Sequence, residues 1–157
     1  MAIDIPGVGE RLGQVYVRAF TFGNSTGAEV ALDTGLLATG TFVYGLININ
    51  EPGVYVKDFQ LQIVSKFTTS TGTFIIGDTD DEDGYWTDTL FAGTATGAVF
   101  GNMATTVGYA AGHVYTAPGV INLTKKLAAA SAASASSLAK AKIIYIRGCE
   151  TDLNPNA

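Results

Sequence analysis

Five carboxylates fall within six positions of one another: Asp78, Asp80, Asp81, Glu82 and Asp83. They come straight after the apolar run TFIIG and straight before Gly84, Tyr85 and Trp86. Carboxylates at this density can hold a hard cation, act as an acid and base pair, or simply face water. A helix-flanked calcium loop needs oxygen ligands at its first, third and fifth positions, a glycine at the sixth and a glutamate at the twelfth. With Gly84 placed sixth, the first position is Thr79 and the twelfth is Leu90, so the pattern fails. A glycosidase pair flanks a cleft from separate parts of a chain, and neighbours in one loop do not supply that geometry. The preferred reading is a solvated turn, because runs of carboxylates usually face water. The alternative is a looser calcium site with Asp78, Asp81 and Asp83 as its ligands.

The other chemistry-bearing residues are isolated. His113 and Cys149 are each the sole residue of their type. That rules out a disulfide within the chain, the cysteine-based zinc patterns and a paired-histidine metal site. Gly7, Gly9 and Gly13 are spaced G-x-G-x-x-x-G, one residue longer than a dinucleotide fingerprint, and no strand precedes them as that motif requires. Ser137 and Lys140 match S-x-x-K, but the partner motifs of penicillin-recognising enzymes are absent. Tyr85 and Trp86 could stack on a sugar, with Tyr109 and Tyr115 as further platforms. Aromatics beside a turn more often cover a core edge. No catalytic constellation and no cofactor site emerge, so a non-enzyme is expected.

Composition narrows the setting. The 157 residues are 47 % apolar and 15 % charged, which suits one globular domain. The net charge of −5 supplies no basic footprint for nucleic acid. The N-terminal stretch lacks the basic and apolar regions of a signal peptide, and no apolar run is long enough for a membrane helix. Synthesis in the cytoplasm, without a membrane partner, is the expectation.

The elements that must position these residues read as strands. QVYVRAFTF (14–22) alternates, with Tyr16, Phe20 and Phe22 on one face and Val15 and Val17 on the other. TFVYGLININ is a second strand. In VYVKDFQLQIVSKF, Phe59, Leu61 and Ile63 oppose Asp58, Gln60 and Gln62. TFIIG, HVY, VINLTKKL and KIIYIRG continue the series, separated by turn signals. The tract 127–141, rich in Ala and Ser, fits a hairpin connection, the preferred reading, or a short helix. The expected fold is therefore all-β, a jelly-roll-like antiparallel sandwich over 14–148. An extended N-terminal arm (1–13) precedes it and a polar tail (149–157) follows.

The segment FQLQIVSKFTTSTGTFIIGDTDDEDGYWTD resembles the central block of capsid decoration, or cement, proteins of tailed bacteriophages and related small virion proteins. The shared pattern is an alternating strand, a Thr/Gly turn, a short apolar strand, then a loop of the kind Ile76-Gly77-Asp78 to Asp83-Gly84-Tyr85. The downstream order, with a strand like VINLT and a closing strand like KIIYIRG, is similar too. The resemblance spans roughly 43–148. It implies a jelly-roll-like sandwich on the capsid surface, bound to the major capsid protein and often trimeric. A homo-oligomer is expected independently, from the apolar content and from sheet edges that need cover. Tyr16, Phe20 and Phe22 are the expected oligomer or capsid contacts. A carbohydrate-binding sandwich of a head or tail fibre is the alternative.

Overall fold

A computed structural model describes residues 2–32, 40–65, 73–87, 107–127 and 137–149. Nine strands run in chain order: β1 (Ile3–Ile5), β2 (Val15–Gly23), β3 (Val30–Ala31), β4 (Gly40–Ile49), β5 (Val54–Ser65), β6 (Thr73–Gly77), β7 (His113–Tyr115), β8 (Gly119–Leu127) and β9 (Leu138–Ile146). They form two sheets, ordered β1-β4-β8-β6 and β3-β2-β9-β5-β7. No helix occurs among the described residues. The expected all-β sandwich is what forms. Its long pairings are antiparallel, and the short strands β1 and β3 join the edges in parallel, so both sheets are mixed.

Alternation decides which side of each strand faces in. On β5, Phe59, Leu61 and Ile63 are buried as the sequence pattern implies. Val54 and Val56 are buried as well, although their parity is opposite. A bulge between Val56 and Asp58 re-phases the strand, leaving Lys57 and Asp58 side by side outside the core. A bulge inserts one extra residue and so restores the inward face after a change of parity. The same device between Gly45 and Ile47 lets Leu46 and Ile47 both enter the core.

The Ala/Ser-rich tract ends in a strand. Residues 128–136 lie outside the described residues, but Leu138 to Ala141 already belong to β9. There Ala141 stands between Phe20 of β2 and Leu61 of β5, and Ala139 between Phe22 and Ile63. Small inward residues flanked by large ones on both neighbours let the layer fill without collision. Tertiary packing thus overrides the helical preference of alanine.

The N-terminal segment needs a correction. Ile3 and Ile5 of β1 pair with Ile47 and Ile49, and both are buried in the core. This part of the expected arm is therefore an integral edge of the sandwich, because its two isoleucines alternate inward against β4. Val8 and Leu12, further along, are exposed. Ile5→Ala should lower unfolding stability by about 2–5 kcal/mol, the usual range for a buried isoleucine cut to alanine. Urea denaturation followed by tryptophan fluorescence measures this, and a change within error would return the segment to the status of a detachable arm.

Candidate functional sites at the acidic corner and the open sheet face

The acidic run leaves β6 and folds back on it. Asp78 Oδ1 accepts hydrogen bonds from the backbone N–H of Asp80 at 3.0 Å and of Asp81 at 3.1 Å. The Asp78 and Gly84 N–H groups both donate to the Asp81 carbonyl. Tyr85 and Trp86 then return to Ile76, with Ile76 and Trp86 exchanging backbone hydrogen bonds. The two glycines that bracket the run serve close approach. A Cβ on Gly77 would strike the Asp81 carbonyl oxygen, and one on Gly84 would strike the Tyr109 ring.

Beneath this turn lies a polar and aromatic cluster that joins the two sheets. Tyr109 donates its hydroxyl to Asp78 Oδ1 at 2.8 Å, and its ring stacks on His113 at 3.9 Å between centroids. His113 meets Tyr115 edge-on, and the Tyr115 and Tyr85 hydroxyls share a hydrogen bond of 3.0 Å. Burial pushes both of those hydroxyls well above the ordinary tyrosine range, so they stay protonated. Tyr109 moves up too, through burial first and then its bond to Asp78. Asp78 Oδ2 is buried without a hydrogen-bond partner and lies 3.8 Å from His113 Nε2. A recess of about 370 Å³ opens beside it, walled by Asp78, Asp80, His113, Tyr115 and Pro118.

The candidate metal ligands are not arranged round one point. Asp78 is turned inward to Tyr109 and to its own loop, its Oδ1 accepting from the Tyr109 hydroxyl and from the backbone N–H groups of Asp80 and Asp81. Partial burial first, and then the neighbouring Asp83 carboxylate, raise Asp81 above the ordinary carboxylate range. Among the described residues, no group of three or more His, Cys, Asp or Glu side chains is placed to hold a metal. Glu82 is exposed and pairs with Lys126 at 2.8 Å. The recess walls include neither a cysteine nor a serine among the described residues.

The expected sugar platforms are internal. Tyr85 and Trp86 are buried, and the Trp86 indole N–H donates to the Phe59 carbonyl at 3.3 Å. Tyr109 and Tyr115 are buried as well. None of these rings presents a face to a glycan.

The expected contact residues of β2 also point the wrong way for that role. Phe20 and Phe22 are buried, and Tyr16 packs against the core beside Tyr145. The reason is that β2 lies inside its sheet, so its aromatic face meets the opposite sheet. Its other face is the open one, with Val15 57 % and Val17 61 % exposed. Sequence alternation identified the two faces but gave no sign of which would be covered.

Two expected outcomes test the corner. Burial holds the His113 imidazole below its ordinary value of 6.5, against the opposing pull of Asp78, Asp80 and Asp81. The unfolded chain therefore takes up the proton at higher pH than the folded one. The resulting stability is full above about pH 6.5 and falls as pH drops through the folded value. His113→Gln should flatten that slope in urea titrations across pH, and since the chain has one histidine no other imidazole can supply it. Chelation with EDTA should leave the melting temperature unchanged. A cation held at a hundred times its dissociation constant adds about 2.7 kcal/mol, so a fall of several degrees would restore Asp78, Asp81 and Asp83 as ligands.

No protein-family model matches this chain, and neither does any curated protein. Solved structures do. The fold is similar to a chain in the acidic stable capsid structure of Helicobacter pylori bacteriophage KHP30, with a TM-score of 0.51 and 18 % identity over 84 % of this chain and 86 % of that one. It is similar to a chain of the cyanophage Pam1 capsid asymmetric unit, with a TM-score of 0.57 and 17 % identity over 90 % and 96 %. The capsid of Ralstonia phage GP4 holds another similar chain, with a TM-score of 0.57 and 15 % identity over 92 % and 91 %. At these identities the likeness is one of fold.

Proposed function

We propose that this chain is a non-enzymatic structural protein of a tailed-phage virion, seated on the outer capsid surface as a decoration protein. The observation that carries the reading is the shared fold: three bacteriophage capsid structures each hold a chain that aligns with 84–92 % of this one. Supporting it, the described residues assemble no nucleophile, base and oxyanion donor around a cleft, and the turn-rich sandwich offers broad sheet faces suited to adhesion. The mechanism is mechanical. A stable sandwich bridges neighbouring copies of the major capsid protein and resists their separation under the pressure of packaged DNA. Homotrimers at local threefold positions are the form proposed for it. The sugar-binding alternative loses its basis with Tyr85 and Trp86 buried in the core.

Mixing the purified protein with undecorated capsids and pelleting them is the direct test. The protein should co-sediment at micromolar concentration and raise the temperature at which the capsids open. Protein that remains in the supernatant overturns the decoration role.

A further inference from the structure

The outer face of the five-stranded sheet divides into two zones. Register places Val15 beside Ile146 and Val17 beside Ile144, forming an aliphatic strip across β2 and β9. Val15 and Val17 are more than half exposed, and Ile144 and Ile146 are half-buried. Leu12, 68 % exposed, lies against Gly148 just beyond the end of this strip. Further along the same face the residues turn basic. Ala19 pairs with Lys142 and Thr21 with Lys140, and a depression of about 270 Å³ lies among these four. Glu29 also borders the depression, but it is engaged by Arg18 at 2.9 Å. On a chain of net charge −5, this is an apolar surface with a positive margin.

The acidic corner is its complement. Asp80 and Asp83 are exposed there, and Glu82, exposed too, is paired with Lys126. The corner belongs to the opposite lateral edge of the sandwich, carried by β6 and tied through Asp78 and His113 to β7. In its sheet β7 is the terminal strand, three places away from β2. A chain therefore cannot bring its own corner onto its own open face, but a second copy can.

We infer that the open face of β2 and β9 receives the acidic corner of a second copy of this chain. Carboxylates of the incoming corner seat against Lys140, and the aliphatic strip is covered alongside it. Because the two surfaces differ, the contact is head-to-tail, and such a contact repeated by a closing rotation makes a ring. Charge pairing at the margin sets the register of docking, while apolar burial at the strip supplies the affinity. The inference deepens the homo-oligomer proposed above. It is tested in solution, where capsid attachment plays no part.

Multi-angle light scattering across the micromolar range gives the mass of the full chain and of four variants. The wild type should form a closed oligomer that weakens in high salt. Val17→Glu places a like charge beside the incoming corner at an exposed position and should weaken self-association about tenfold or more, with the β-sheet circular-dichroism spectrum of the folded chain unchanged. Lys140→Glu and Asp80→Lys should each weaken it as well. The chain carrying both Lys140→Glu and Asp80→Lys should recover, because each reversed corner then meets a reversed face. A wild type that stays monomeric, a Val17→Glu variant of wild-type mass, or a double variant no better than the singles overturns the inference. If the wild type is monomeric and Val17→Glu no longer pellets with capsids, the face takes the capsid protein. The second-copy inference then fails while the decoration role stands. A ring that forms but never co-sediments with capsids gives the reverse result.

Discussion

Strand β9 is hydrogen-bonded along its whole length to β2 on one side and to β5 on the other. A strand with two such neighbours can carry only small groups wherever both neighbours send large ones inward. Ala139 and Ala141 meet that condition between Phe22 and Ile63 and between Phe20 and Leu61. Toward the other end the neighbours carry Tyr16 and Val56, and β9 itself supplies Ile143 and Tyr145. This graded width lets the opposite sheet settle evenly on the core, with Leu46, Ile76, Ile121 and Leu123 buried against it.

The two sheets are then fastened at both sides of the sandwich. On one side the two isoleucines of β1 lie in the core against β4. On the other, Asp78 reaches from β6 to Tyr109 and lies against His113 of β7, while Tyr85 bonds to Tyr115 across the interior. At the end of the sheet where β9 stops, Arg147 bonds to the Glu51 carboxylate and to the Glu10 carbonyl, and Tyr145 donates to Glu10. The carboxylates that first suggest chemistry therefore divide by position. Asp78 is a structural clasp, and the exposed members of the run are surface charge. The acidic corner and the open face of β2 and β9 are the two surfaces on which the proposed self-association depends.

Much of the strand inventory was legible in the chain. The alternation of β2 and of the second half of β5, the turn residues between strands and the isolation of His113 and Cys149 follow from residue type and spacing alone. Period-2 patterns survive in any context because they reflect the pleat of a single strand. Other features could be decided only by neighbours distant in sequence. Ala139 and Ala141 read as helix formers until two flanking strands require small side chains. The inward phase of Val54 and Val56 depends on a bulge that exists only opposite β9. Ile3 and Ile5 look like part of a loose arm until β4 lies beside them. Which face of β2 is core, and which carboxylate of the acidic run turns inward, depended on where the second sheet closed. Local sequence states that a strand has two faces, and only the packing of one sheet on the other chooses between them.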